Sequence, residues 1–165
     1  MEEKSGIVAF AFGTPFTISS NKEISRIASQ KALELEVPVF TQLDIRVEPE
    51  VHVEYIGGEF NDPPPTLRIA RAAVKWAKEK EIKNLLIVAA KPHLWRCKRD
   101  LVQAILEAEA KIEVWVCDEE INSYPEDSWF CPDSTQERVR SRKLWNKRER
   151  ILNFLPFFLY KLVAK

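Results

Sequence analysis

Five short apolar runs alternate with segments of helical periodicity along this chain, and that alternation leaves few folds open. Residues 6–12 (Gly-Ile-Val-Ala-Phe-Ala-Phe) are almost continuously apolar, as a strand covered on both faces must be. Residues 37–45, 85–90 and 112–117 read as further strands. Residues 51–56 alternate more strongly, as a strand nearer a sheet edge does. Ser20-Asn21-Lys22-Glu23 has the capping-box pattern and opens a predicted helix to about residue 35. Pro63-Pro64-Pro65 cannot be helix interior, so Thr66 is the expected N-cap of a helix to about residue 80, with Leu67, Ile69, Ala70, Ala73, Val74 and Ala77 at helical spacing. A third helix follows His93, carrying Leu94, Leu101, Val102, Ile105 and Leu106 on its apolar side. Ser134-Thr135-Gln136-Glu137 is a second capping box, expected to open a basic C-terminal helix. Strands that alternate with helices of this length pair in parallel. The expected fold is α/β, with a mainly parallel sheet of about five strands and helices on both faces.

The chain has 165 residues, enough for one domain with a real core and short for two. Residues 1–150 are expected to form that domain. Residues 151–165 (Ile-Leu-Asn-Phe-Leu-Pro-Phe-Phe-Leu-Tyr-Lys-Leu-Val-Ala-Lys) form an apolar helical tail, too short and too interrupted to span a bilayer. The tail packs either on the domain or on a second copy in a dimer. A peripheral membrane contact is the sharper alternative, since basic residues precede it. Formal net charge is zero, so no global electrostatic grip on nucleic acid or on an anionic bilayer is implied, and no nucleic-acid partner is expected. The one strong asymmetry is local: residues 137–150 carry seven basic side chains against two acidic ones, without the interleaved aromatic platform of a nucleic-acid binder. Three cysteines (Cys97, Cys117, Cys131) with no secretory pattern at the N-terminus point to free thiols in a reducing, cytoplasmic setting. His93 and Cys97 are spaced to share a helical face, but no Cys-x-x-Cys accompanies them and no metal site is expected.

The richest stretch is residues 85–100. An apolar strand breaks at Lys91-Pro92 and delivers His93 and Arg96 to a helix start. The carboxyl ends of strands are where ligands bind in open α/β sheets. Imidazole is the natural acid or base near neutral pH, and guanidinium grips phosphate or carboxylate with two prongs. The loop after the first strand, Gly13-Thr14-Pro15, has a glycine for close approach and a hydroxyl, yet neither a dinucleotide fingerprint nor a Walker A motif. It is either a plain turn or part of an anion seat. Asp44, at the expected end of the second strand, is either a solvated loop carboxylate or a holder of a hydroxyl or metal. Gly57-Gly58 allows an unusual backbone path toward Glu59 and Asn61, and Thr66 is placed to offer a hydroxyl to an anion as well as to cap its helix. Of the five tryptophans, Trp95, beside His93, is the expected stacking partner for a ring.

This set of residues resembles the YdcF/SanA/ElyC-type domain of unknown function. His93-Leu94-Trp95-Arg96 matches its strand-then-His-x-x-Arg element; Glu59, Thr66 and Ala70 match its middle element, and Gly13 matches the glycine after its first strand. The resemblance runs from about residue 7 to the C-terminal helix. It implies a Rossmann-like, three-layer α/β/α fold. It also brings in S-adenosylmethionine, linked to one member, and the envelope or lipid-carrier metabolism linked to others. The chain departs from the family where Thr41-Gln42-Leu43-Asp44 stands in place of a Ser-Gly-Gly turn, and where Pro65-Thr66 replaces Asn-Thr.

The leading expectation is an anionic or nucleotide-like small molecule held at the strand ends by Arg96, Thr66 and the Gly13-Thr14 loop. Asp44, Glu59 or Asn61 would take a hydroxyl, and His93 would be the catalytic acid or base for hydrolysis or transfer at phosphate. The alternative is a non-catalytic ligand-binding or assembly protein that dimerises or meets a membrane through its tail.

Overall fold

The computed structural model describes residues 3–59 and 62–163. Strands β1 (Ser5–Ala9), β2 (Val39–Thr41), β3 (Val53–Tyr55), β4 (Asn84–Val88) and β5 (Glu113–Val116) form one sheet in the order β3-β2-β1-β4-β5, every pair parallel. Helices α1 (Ser19–Leu35), α2 (Thr66–Glu79) and α3 (Lys91–Glu107) are the crossovers. A short α4 (Asp118–Ser123), two single 3₁₀ turns and helices α5 (Arg142–Phe154) and α6 (Phe157–Val163) complete the chain. This is the three-layer, Rossmann-like α/β/α architecture.

The layers follow from alternation along the strands. Ile7, Ala9, Val39 and Val88 face a core shared with α1, α4 and Trp129. Val8, Phe10, Phe40, Leu85 and Ile87 face a second core shared with α2 and α3. Successive strand side chains point to opposite faces, so a strand apolar at every position needs cover on both. β1 is that strand, and it lies in the centre. β3, whose side chains are half-buried or exposed, lies at an edge as its weaker pattern predicted.

The chain runs outward from β1 through β2 to β3, then returns to place β4 on the other side of β1. Adjacent connections therefore diverge at the carboxyl ends of β1 and β4, and a crevice opens there. The ladder of β1 stops at Ala9, shorter than its apolar run. Phe10 N–H still donates to the Val88 carbonyl at 2.9 Å, and the backbone N–H groups beyond it are taken by side chains: Ala11 N–H donates to Gln42 Oε1 at 3.0 Å and Phe12 N–H to Asn21 Oδ1 at 2.9 Å.

Both capping boxes are corrected. At the start of α1 the N-cap is Ile18; Ser20 instead donates to the Phe12 carbonyl at 3.0 Å, and Asn21 donates to the carbonyls of Gly13 and Pro15. These polar side chains fasten the β1–α1 loop rather than their own helix. Ser134-Thr135-Gln136-Glu137 opens only a 3₁₀ turn, and the basic helix begins later, with Ser141 Oγ accepting from Leu144 N–H. Pro65, not Thr66, is the N-cap of α2, which frees the Thr66 hydroxyl for another partner. The expected boundary at residue 150 falls inside α5. The segment beyond it returns to the domain: Leu152 and Tyr160 are buried with Leu67 of α2, and Tyr160 donates to the fully buried Asp100 of α3. Among the described residues no helix is long and apolar enough to cross a membrane.

Candidate functional site

A cavity of about 230 Å³ occupies the crevice at the carboxyl ends of β1 and β4. Its floor is the loop Ala11-Phe12-Gly13 with Gln42. One wall is the Pro63–Thr66 approach and first turn of α2. The other is the first two turns of α3, through His93 and Arg96. Its cover comes from the C-terminal part of the chain, through Arg138, Trp145, Arg148, Tyr160 and their neighbours. Two helix N-termini thus open on the same space, each adding partial positive charge.

Local sequence explains how the polar groups are aimed. Pro92 stands in the first turn of α3, where its missing N–H costs nothing. His93 and Arg96 are three residues apart and share a helical face, both buried. Trp95 falls on the far side of that helix: it is 59% exposed and lies against Arg99. The stacking residue expected at Trp95 is therefore corrected. The indole at the cavity is Trp145, which donates to the Pro92 carbonyl at 3.2 Å and packs edge-on against both His93 and Phe12.

His93 Nε2 lies 3.1 Å from Thr66 Oγ1, while its Nδ1 is buried with no hydrogen-bond partner. Burial, followed by the charges of Arg96, Arg138 and Arg148, holds the imidazole well below its ordinary value of 6.5. The ring is neutral at pH 7, and the same burial and charges make it a weaker base than a solvated imidazole. Arg96 Nη1 lies 3.1 Å from Glu149 Oε1, near enough to pair charges. The orientation is not that of a hydrogen bond, and Glu149 Oε1 and Arg96 Nε both lack a hydrogen-bond partner.

Arg138 and Arg148 complete the cluster. Burial and the neighbouring guanidiniums of Arg148 and Arg96 pull Arg138 down to about 10. Arg148 is lowered by burial and by Arg96. Among the described residues neither forms an ion pair. Glu149 is raised by burial more than the arginines lower it. Three guanidiniums thus share one carboxylate, leaving an excess of two positive charges in a half-enclosed cavity. Such a cluster is costly by itself, and its charge is of the sign that suits an anion.

Of the residues singled out by sequence, Gly13, Thr66, His93 and Arg96 line this cavity. Thr14 does not: it is fully buried against the C-terminal segment, its hydroxyl against that of Thr135. Asp44 is buried in the turn after β2 and takes no part in the cavity wall. Glu59 is exposed, in an isolated bridge with Asp62, and Asn61 lies outside the described residues. No group of three His, Cys, Asp or Glu side chains able to hold a metal gathers among the described residues. Burial pushes the Cys97 thiol well up and Cys117 to about 11, so neither is a ready nucleophile.

Arg138, Arg148 and Trp145 escaped the sequence reading. Their signal was present as the basic run 137–150, but spacing along a chain does not reveal which of its cations turn inward. No protein-family model matches this chain, and no curated protein matches it.

Proposed function

We propose that this protein binds a small phosphate monoester in the β1–β4 cavity. The observation that carries this reading is the cluster of Arg96, Arg138 and Arg148 around one carboxylate, with two positive charges left over for a dianion. A phosphoryl group supplies that charge and accepts several N–H donors at once. The volume of about 230 Å³ falls below the ~300–1,000 Å³ of sites for drug-sized molecules, which favours a phosphoryl group on a small organic residue. S-adenosylmethionine fits the electrostatics less well, because its sulfonium would enter a field that is already positive.

His93 and Thr66 form the pair that would act on such a ligand. The neutral imidazole, 3.1 Å from Thr66 Oγ1, would take a proton from that hydroxyl or from a water in its place; the oxygen so activated would bond to phosphorus as the P–O bond to the ester oxygen breaks, and the imidazolium would return its proton to the departing alkoxide. A non-catalytic binding role is the second reading. His93 Nδ1 favours it, since no carboxylate orients the ring as one does in most acid–base dyads.

The test is a calorimetric titration and a thermal-shift series with inorganic phosphate and small phosphomonoesters. Saturating ligand is expected to raise the melting temperature by mass action. Arg138→Ala should weaken binding ~10- to 100-fold, the worth of a charged hydrogen bond. His93→Gln should leave binding within a few-fold and abolish phosphate release, if the wild type shows any. No shift with any phosphorylated compound, or an unchanged affinity in Arg138→Ala, would overturn the reading. Binding without turnover would select the non-catalytic role.

A further inference from the structure

We infer that the exposed face of α5 and α6 is a docking surface for an anionic membrane, on which the protein rests without crossing. On α5, Lys143, Lys147, Arg150, Ile151 and Phe154 are all exposed and follow at spacings of four, three, one and three residues. At 3.6 residues per turn they occupy a single face. Trp145, Glu149 and Leu152 occupy the opposite, buried face. Phe154 is 87% exposed, an extreme value for a phenyl ring. On α6, Phe158 and Leu162 are exposed as well, on the side of that helix opposite the buried Tyr160. Tyr160 anchors that helix inward, so the apolar side chains are held outward rather than free to fold back.

Charge decides what covers this face. Residues 141–163 hold six basic side chains and one acidic one, and that one, Glu149, is buried against Arg96. Among the described residues Lys143, Lys147 and Arg150 form no ion pair. A second copy is a poor occupant: a two-fold interface sets the same patch against itself and would bring these cations together with no carboxylate between them. The cores of protein–protein interfaces are also depleted of charge, whereas here three cations run directly into the apolar residues, with Arg150 next to Ile151 and one turn from Phe154. A bilayer boundary supplies both needs, with phosphate headgroups for the cations and acyl chains just below for Ile151, Phe154, Phe158 and Leu162. The surface is separate from the Arg96–Arg138–Arg148 cavity and does not depend on what that cavity binds.

The test is co-sedimentation of the full chain with phosphatidylcholine vesicles, with and without phosphatidylglycerol, at low and high salt. The wild type should pellet with the anionic vesicles at low salt and stay in solution with phosphatidylcholine alone. The triple variant K143E/K147E/R150E should lose at least ~100-fold in partition, since each cation near such a surface is worth about fivefold. F154S/F158S should also release the protein. These side chains are exposed, so both variants should melt like the wild type and keep its affinity for phosphate. A wild type that stays in solution with both vesicle types, or variants that pellet as well as it does, would overturn the proposal. So would a dimer, seen by light scattering, that the variants convert to monomer, which would assign the face to a second copy.

Discussion

Two polar clusters lie side by side at the carboxyl end of the sheet, and they are built in opposite ways. In the first, Thr14, Ser134 and Thr135 satisfy one another. Ser134 Oγ donates to the Thr14 carbonyl at 3.0 Å and accepts from the N–H groups of Thr14 and Gln136, and Thr135 N–H reaches the same carbonyl at 2.9 Å. In the second, His93 Nδ1 and Arg96 Nε have no hydrogen-bond partner, and three guanidiniums crowd one carboxylate. Buried polar groups that are all paired fix where the chain goes. Buried polar groups left open, with charge to spare, are what the phosphate-binding proposal rests on. Hydroxyls near a strand end are thus no guide to a ligand until their partners are known.

The sharpest way to break this contrast is at Gly13, which sits between the clusters. Its φ is +92°, and an added Cβ would lie 2.6 Å from Val139 and 2.7 Å from the Ser134 hydroxyl. Gly13→Ala should cost ~2–5 kcal/mol in denaturant unfolding, from the left-handed backbone and the overlap together. A loss under ~1 kcal/mol would show that the C-terminal segment is not held tightly there. Ser134→Ala should cost ~1–3 kcal/mol, because it strands buried partners, while phosphate affinity of the folded protein stays within about twofold. The reverse outcome, stability kept and affinity lost, would exchange the roles of the two clusters.

His93 gives a pH signature. Its folded value lies well below 6.5, so the unfolded chain takes up the proton first as pH falls. The stability it contributes is present above pH 6.5 and declines below it, by up to ~1.4 kcal/mol per pH unit. Denaturant midpoints between pH 7 and pH 5 should show this slope in the wild type and lose it in His93→Gln. The smallest effect is expected at Arg138. Relieving the crowded charges with Arg138→Gln should raise the stability of the unliganded protein by ~0.5–2 kcal/mol while weakening phosphate binding, as substitutions in strained binding sites do. A less stable variant would make Arg138 a structural residue.

The sheet was legible because β1 and β4 are free of polar side chains at every position after their first residues, Ser5 and Asn84, and a strand covered on both faces needs that. Half of the cavity was legible too, since a strand, a proline and a His-x-x-Arg spacing locate a helix start at a strand end. Trp95 was misread although spacing alone argues against it: two residues on from His93, a helical side chain points the other way. The capping boxes misled because Ser20, Asn21 and Ser134 have hydrogen-bonding options beyond their own helices: Ser20 and Asn21 fasten the loop just before α1, and Ser134 fastens Thr14, far away in sequence. Arg138, Arg148 and Trp145 were invisible for the same reason. Trp145 reaches Pro92 across 53 residues, and no local pattern encodes that meeting.

That long reach has a consequence for the life of the chain. The sheet is complete once β5 ends at Val116, yet Arg138, Trp145 and Arg148 have still to arrive. On the phosphate-binding proposal, a molecule gripped by Arg96 on one side and by Arg138 and Arg148 on the other would work as a removable clasp between early and late chain. Scaffold precedes grip during synthesis, so the cavity could be filled only once the chain has been finished and closed. With the cavity empty the last segment stays packed, through Trp145 on Pro92 and Tyr160 on Asp100, but the like charges beside it make it the part that opens most readily, and a protease should find its cuts there first.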